Sequence, residues 1–124
     1  MGLDMYVCTL RERPPKEVDF KLEPEDECEG LHSWRKHPNL HGWMEELYYS
    51  KGGSEAPFNC ATVALTSSDL DNLERAIIEG DLPPTSGFFF GESQDEDAAG
   101  DLEFIAKARK AIEDGLFLFY DSWW

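Results

Sequence analysis

Residues 66–80, TSSDLDNLERAIIEG, decide the fold because they carry the clearest helix signal in the chain. The apolar residues of this stretch share the spacing of one helix face: Leu70, Leu73 and Ile77. Ser68 with Asp71 resembles a capping box, and Asp69 suits the first turn through the helix dipole. Gly80 is typical of a residue that ends a helix. We predict an amphipathic helix here, with its apolar stripe facing a core.

Two further helices are predicted on either side of this stretch. The earlier helix begins at Pro38-Asn39 and ends at Lys51-Gly52-Gly53. Its apolar face is formed by Leu40, Trp43, Met44 and Leu47. The later helix begins at residues 95–97 and ends at Gly115. Its predicted buried stripe consists of Leu102, Ile105, Ala108 and Ile112.

Five short segments favour strands through β-branched and aromatic composition, through alternation, or as short apolar runs. They are residues 3–10, 18–22, 58–65, 87–91 and 116–120. In the second of them, Val18, Phe20 and Leu22 alternate with charged residues and predict a half-exposed strand. Strands that alternate with helices after an initial hairpin-like pair predict an α+β fold. We expect a small mixed or antiparallel sheet of four to five strands, with two to three helices packed on one face, in a single domain over residues 1–124.

The net charge of −15, from 11 basic and 26 acidic residues, is the outstanding bulk property. Residues 23–30 and 87–101 each hold five acids and no base, and residues 57–86 hold five acids and one base. The run at 23–30 is predicted to be a solvated acidic loop. Such a surface repels nucleic acid and anionic membranes, and it is steered toward basic partners.

The compartment predicted from the sequence is the cytoplasm. No apolar run reaches the length of a membrane span, and the first residues lack the pattern of a secretory signal. Cys8, Cys28 and Cys60 are an odd number at irregular spacing, so they predict reduced, buried thiols and no disulfide framework. The apolar neighbours of Cys60 favour its burial, where a thiol is inert.

The three histidines are candidate metal ligands, since His32, His37 and His41 lie close together with Cys28 upstream. There is no C-x₂-C pair, and Pro38 interrupts the helix that would align two of these histidines. We therefore predict neither a metal site nor a cofactor. Ser, His and Asp are all present, but no spacing singles out a catalytic triad, and no standard catalytic motif occurs.

One local patch is both basic and aromatic. It comprises Trp34-Arg35-Lys36, with His41 and Trp43. Arg35 could clamp a carboxylate or a phosphate, and His41 could serve as an acid or base near neutral pH. The alternative is that the tryptophans belong to the core and Arg35 pairs with a local acid.

Paired acids follow the Phe88–Phe90 segment at Asp95 and Glu96. Two neighbouring carboxylates can divide acid and base roles or bind a divalent cation. The alternative is that they lie in the first turn of a helix because the dipole favours acids there.

Several markers along the whole chain resemble one family. They are Met1-Gly2-Leu3-Asp4-Met5-Tyr6, Trp34-Arg35-Lys36 with His41 and Trp43, Gly87-Phe88-Phe89-Phe90-Gly91, and Ser122-Trp123. The chain resembles a family of small uncharacterised proteins met in bacteriophage genomes and in bacteria that carry prophages. The resemblance implies phage or mobile-element biology and no particular reaction.

Two functional hypotheses follow. The first is a non-enzymatic acidic protein that engages a basic host protein surface, for example by occupying the site of a nucleic-acid-binding protein. Its contact residues would be Glu23, Glu25, Asp26, Glu27, Glu29, Glu92, Asp95, Glu96, Asp97 and Trp34. The alternative is a small enzyme or ligand-binding protein, whose pocket lies between the Trp34–Trp43 segment and the Phe88–Phe90 strand with Arg35, His41 and Asp95 as polar groups. Trp123-Trp124 would either anchor the last strand or cover the surface of a homodimer.

Overall fold

The computed structural model describes residues 2–20, 28–56, 58–85, 93 and 97–124. These residues form four strands and three helices, in an order that confirms the predicted α+β class. The elements are β1 (Asp4–Leu10), β2 (Glu29–Arg35), α1 (Pro38–Ser50), β3 (Val63–Leu65), α2 (Ser67–Glu79), α3 (Asp97–Glu113) and β4 (Phe117–Trp123). No helix in this part of the chain is long and apolar enough to cross a membrane.

The four strands make one antiparallel sheet in the order β2-β1-β4-β3. The long central pair joins β1 to β4, from Asp4 opposite Trp123 to Leu10 opposite Phe117. β1 also pairs with β2, and the register shifts between Val7 and Cys8. The first and last strands of the chain are therefore neighbours in the middle of the sheet.

β2 was not predicted, and it corrects the loop expected at residues 23–30. Glu29 and Gly30 begin this strand, while residues 23–27 lie outside the described residues. The sequence EGLHSWR carries no alternation of apolar and polar residues, because β2 is partly exposed along its length. Backbone pairing with β1, and not burial of an apolar face, makes this segment a strand.

The main core lies between one face of the sheet and the three helices. β1 contributes Met5 and Val7 to it, and β4 contributes Leu118 and Tyr120. All three helices add buried side chains to the same cluster: Leu40, Met44 and Tyr48 from α1; Leu70, Leu73 and Ile77 from α2; Phe104, Ile105, Ala108 and Ala111 from α3. The helices pack on one face of the sheet, as predicted from the sequence.

A smaller cluster covers part of the opposite face. Phe20 lies edge-on to Phe117 and Phe119, with ring centroids 5.7 and 5.3 Å away. Of the strand predicted at 18–22, residues 18–20 form only an isolated bridge from Val18 to β3, and residues 21 and 22 lie outside the described residues. Asp19 has a φ of 52°. This left-handed conformation ends the extended backbone and turns Phe20 toward the second cluster.

The helix boundaries agree with the sequence, but two details differ. The capping box of α2 joins Thr66 to Asp69 and not Ser68 to Asp71, and Gly80 ends the helix in the left-handed conformation. In α3 the buried face includes Asp101 and Phe104, whereas Leu102 is 38% exposed. The predicted stripe was thus displaced, because Asp101 occupies an inward position that a sequence pattern assigns to an apolar residue.

The other strand predictions have mixed outcomes. Of the predicted strand at 58–65, only Val63–Leu65 is a strand, although Phe58 and Ala61 are buried. The Phe88–Phe90 strand lies outside the described residues. The last strand continues to Trp123, and the Trp124 indole N–H donates to the carbonyl of Phe58 at 2.9 Å. The chain end is therefore anchored, while the side chain of Trp123 is 66% exposed.

Candidate functional site

The structure places Arg35 and His41 in different surroundings. Arg35 ends β2 with its side chain exposed, and its Nε lies 3.7 Å from an Asp4 carboxylate oxygen. His41 is 2% exposed inside the core, where its Nδ1 lies 2.6 Å from the Tyr120 hydroxyl. These two side chains therefore do not line a common pocket, contrary to the prediction. Asp95, the third group predicted for that pocket, lies outside the described residues.

His41 is a buried structural histidine. Burial lowers the pKa of its imidazole to about 4, although a hydrogen bond with the Phe58 backbone opposes the shift. The ring is therefore neutral near pH 7. Burial also raises the pKa of the Tyr120 hydroxyl well above its usual value, so that hydroxyl keeps its proton and donates it to Nδ1.

The residues predicted for the acidic binding surface are only partly described. Glu29 is exposed at the start of β2, and Asp97 is the first residue of α3. Trp34 is half-buried and packs edge-on against Phe104, with ring centroids 4.8 Å apart, so it belongs to the packing of α3 against β2. The other predicted contact residues lie outside the described residues: Glu23, Glu25, Asp26, Glu27, Glu92, Asp95 and Glu96.

The thiols are less buried than predicted. Cys28 and Cys60 are exposed and Cys8 is partly buried, with all three free. Cys60 has a φ of 57°, and its backbone N–H donates to the carbonyl of Ser122 at 2.8 Å. This turn exposes the Cys60 thiol even though Phe58 and Ala61 on either side are buried.

The structure assembles a polar cluster that spacing along the chain did not reveal. His37 immediately precedes α1 and is 3% exposed. Its Nε2 lies 2.8 Å from the Asp101 carboxylate of α3, and its Nδ1 lies 2.7 Å from the Ser93 hydroxyl. The other carboxylate oxygen of Asp101 accepts the indole N–H of Trp34 at 2.9 Å. We call His37, Ser93 and Asp101, with Trp34 behind them, the His37 cluster.

Donor and acceptor chemistry fixes the direction of these hydrogen bonds. A carboxylate only accepts, so Asp101 requires a proton on Nε2 of His37. In the neutral imidazole Nδ1 is then the acceptor, and the Ser93 hydroxyl donates to it. The Ser93 oxygen in turn accepts the backbone N–H of Asn39 at 3.1 Å. A single chain of hydrogen bonds thus runs from the first turn of α1 to the carboxylate of Asp101.

This chain also has a structural role at the start of α1. The first amide groups of a helix have no partner within the helix, and the His37 side chain does not cap them. Ser93 supplies one such partner from elsewhere in the chain. If Ser93 only stabilises α1, Ser93→Ala should lower stability. If Ser93 also reacts, the same substitution should abolish activity.

A cavity of about 280 Å³ opens beside the His37 cluster. His37, Ser93 and Asp97 contribute polar groups to its wall, and Ile77, Leu82 and Ala98 are among its apolar lining. An Asp97 carboxylate oxygen lies 3.8 Å from Nδ1 of His37. The volume falls near the lower end of the range for small-molecule sites, so the cavity suits a small ligand.

The histidines do not share a metal site. Among the described residues, no group of three His, Cys, Asp or Glu side chains is arranged to hold a metal ion. His32 lies instead beside the Lys107 ammonium, with Nδ1 and Nζ 3.4 Å apart.

One sequence signal could have pointed to the His37 cluster. Asp101 precedes the buried residues Phe104, Ile105 and Ala108 at helical spacing, which places a carboxylate on the inward face of α3. A buried acid at such a position requires hydrogen-bond donors. Its partners His37 and Ser93 lie too far along the chain from each other for any spacing rule to join them.

Comparisons with known proteins do not decide between these roles. No family model matches the chain, and neither a curated protein nor a solved structure is detectably similar to it. The geometry of the His37 cluster and the charge of the chain are therefore the features that indicate function.

Proposed function

We propose that this chain is a small hydrolase that transfers an acyl group from an ester to Ser93 and then to water. The observation that carries the proposal is the unbroken hydrogen-bond chain from Ser93 through His37 to Asp101, at 2.7 and 2.8 Å, in the wall of a cavity. A nucleophile, a base and a buried group that orients the base are the parts of a Ser-His-Asp triad, which is recognised by geometry and not by sequence order.

In the first half-reaction, the Ser93 oxygen attacks the ester carbonyl carbon and its proton passes to Nδ1 of His37. The Asp101 carboxylate, hydrogen-bonded to the opposite nitrogen, stabilises the imidazolium that forms. The alcohol leaves with the proton from Nδ1, and the acyl group remains on Ser93. Water then attacks the acyl-enzyme and gives a proton to Nδ1, and Nδ1 passes that proton to the Ser93 oxygen as the acid leaves. The two ring nitrogens exchange the roles that they have in chymotrypsin-type enzymes, and the chemistry at each end is unchanged.

The first turn of α1 contacts the nucleophilic oxygen of Ser93. The backbone N–H of Asn39 lies 3.1 Å from the Ser93 oxygen. A helix start favours negative charge through its dipole and its unpaired amide groups. This N–H therefore orients the Ser93 oxygen and favours the partial negative charge that the oxygen gains as its proton passes to His37.

The cavity also limits the substrate. It is small, and Asp97 adds a carboxylate beside the reacting groups. An anionic ester would be repelled there and by the net charge of −15. The proposed substrate is therefore a short neutral or cationic ester.

The test is hydrolysis of nitrophenyl acetate and acetylthiocholine, together with labelling by a fluorophosphonate that reacts with activated serines. Wild type should hydrolyse at least one ester and be labelled at Ser93, whereas Ser93→Ala and His37→Gln should show neither reaction. Ser68→Ala, at an exposed serine of α2, and His32→Gln are the matched controls. If Ser93→Ala only lowers the stability of α1, and wild type is neither active nor labelled, the cluster is a capping network and the proposal is wrong.

A second function is supported by the charge of −15. We also propose that the acidic surface engages a basic partner in the cytoplasm, such as a host nucleic-acid-binding protein if the phage resemblance is followed. Glu29 is exposed for such a contact, and Arg109 is paired with Asp71 and Glu74, which reduces the local positive charge. Capture from lysate followed by a salt gradient should release one basic protein sharply. Release that does not depend on salt would contradict this second proposal.

We propose that Trp123 contacts the second chain of a homodimer, because its side chain is 66% exposed at the end of β4. Sedimentation of wild type and Trp123→Ser would test it. A wild-type monomer at micromolar concentration would remove the homodimer from consideration.

A further inference from the structure

Cys8 on β1 and Cys28, which lies just before β2, are at the same face of the sheet. In the pairing of β1 with β2, Cys8 is opposite Gly30. Cys28 precedes Gly30 by two residues, so its side chain points to the same face as that of Cys8. Residues in this diagonal relation lie about 7–8 Å apart in a regular antiparallel pair, so contact between two short cysteine side chains requires the irregular pairing found here. The two thiols are close enough for a side-chain hydrogen bond.

The surroundings of the two thiols permit a covalent link. Gly30 has no side chain, so nothing projects from the position directly opposite Cys8. Cys28 lies just before β2 begins, where strand pairing does not fix its backbone. The register shift between Val7 and Cys8 adds local freedom on the other strand. A small movement of residue 28 can therefore bring the two sulfur atoms to bonding distance.

We propose that Cys8 and Cys28 are a redox-active pair that forms a reversible disulfide with a low-molecular-weight disulfide as oxidant. The exposed Cys28 thiolate attacks the oxidant, forms a mixed disulfide and releases one small thiol. The Cys8 thiolate then attacks the Cys28 sulfur, closes the protein disulfide and releases the second small thiol. The protein loses two hydrogen atoms, and the oxidant is reduced to two thiols.

The order of the two steps follows from exposure and charge. Cys28 is exposed, whereas Cys8 is partly buried between β2 and β4. Burial, the hydrogen bond and charge of Cys28, and the charge of Asp121 on β4 raise the pKa of the Cys8 thiol to about 12. Tyr6 of β1 also lies near these groups. Because only the thiolate attacks, burial of Cys8 should make the second step the slower one, and this step should be faster at pH 9 than at pH 7.

Cys60 provides the internal control. Its thiol is exposed, and its sulfur lies 3.5 Å from the side-chain oxygen of Asn59. Asp121 and Tyr6 interact with both Cys8 and Cys60, but it is the Cys28 thiol that hydrogen-bonds to Cys8. Cys60 should therefore accumulate a mixed disulfide with the oxidant, which no neighbouring thiol resolves.

The experiment is exposure of the full chain to oxidised glutathione, followed by intact mass measurement and peptide mapping without reductant. After oxidation, the Cys60→Ser protein should be lighter by the mass of two hydrogens and should retain no glutathione. Its peptide map should show one linked pair, which contains Cys8 and Cys28. Cys8→Ser should instead keep glutathione on Cys28, and Cys28→Ser should form no crosslink. Because mapping of Cys60→Ser requires no change at the pair, a folding defect in the other variants does not affect the test.

Two outcomes would overturn the inference. One is stable glutathionylation of Cys28 in Cys60→Ser with no crosslink at pH 9. The other is a linked pair in wild type that joins Cys60 to Cys8 or Cys28. Neither result bears on ester hydrolysis, because the cysteine pair lies on the opposite face of the sheet from the helices that carry the His37 cluster.

Discussion

Replacement of Asp101 by asparagine changes the direction of the hydrogen-bond chain while the side chain keeps its shape. The indole N–H of Trp34 only donates, so the amide oxygen of the introduced asparagine must take the place of the carboxylate oxygen that accepts it. The amide NH₂ then faces Nε2 of His37, which must become an acceptor. The imidazole proton moves to Nδ1 and points at the Ser93 oxygen, so His37 can no longer accept the Ser93 proton.

The size of the effect follows from these roles. Loss of the correct tautomer in a Ser-His-Asp triad lowers kcat by about 10⁴-fold, so D101N should reduce ester hydrolysis on that scale. Its free energy of unfolding should fall by only about 1–2 kcal/mol, because both hydrogen bonds remain, without the charge. D101A should lower the free energy of unfolding by about 2–6 kcal/mol, because it leaves the N–H groups of Trp34 and His37 without an acceptor at a site where Asp101 is 1% exposed.

The assays are hydrolysis of nitrophenyl acetate, urea unfolding, and ¹⁵N NMR of the histidine rings to identify the tautomer. Asp97→Asn is the matched comparison, because that carboxylate lies 3.8 Å from Nδ1 of His37, whereas Asp101 is bonded to Nε2. A folded D101N protein with the His37 proton on Nδ1 and wild-type hydrolysis would refute the catalytic reasoning. A D101A protein as stable as wild type would refute the structural part.

Two further predictions concern stability. The folded pKa of His41, about 4, lies below its unfolded value, so the unfolded state binds more protons between these values and stability falls with decreasing pH. From pH 7 to pH 5 wild type should lose about 2 kcal/mol more than His41→Gln, and equal losses in urea titrations would contradict this. Lys51→Met should lower the free energy of unfolding by about 3–5 kcal/mol, because the Nζ of Lys51 lies 2.6 Å from the largely buried carboxylate of Asp69. Arg109→Met removes a more exposed pair and should cost less than about 1 kcal/mol; similar thermal shifts for both variants would count against this argument.

The sequence was most informative where one segment alone determines its structure. The helix at residues 66–80 carries its own stripe and caps: Gly80 ends α2 as predicted, and the capping box lies two residues before the predicted one, at Thr66 and Asp69. β2 was missed because its strand conformation depends on pairing with β1, which no local pattern in EGLHSWR records. The segment around Val18 was misread for the opposite reason, since its alternation is real but the backbone turns at Asp19.

The candidate site was harder to predict for a related reason. Its three polar groups come from the start of α1, from Ser93 and from the inward face of α3. These three groups come together only when α3 packs against β2. That contact joins distant parts of the chain, so no local sequence pattern reveals it. Residues chosen for local composition, such as Arg35 and His41, proved to have separate structural partners. Asp101 was the one position where a local pattern and a chemical requirement coincided.

The central pairing of β1 with β4 has a consequence for how the chain reaches its folded state. The middle of the sheet cannot close until both the earliest and the latest strand are present, so contacts between distant parts of the chain dominate folding. Such topologies fold slowly compared with helical bundles of the same size. During synthesis the edge of β1 that pairs with β4 stays unpaired until β4 leaves the ribosome. A protease cut between the helices would likewise leave two fragments, each holding one half of the central pair.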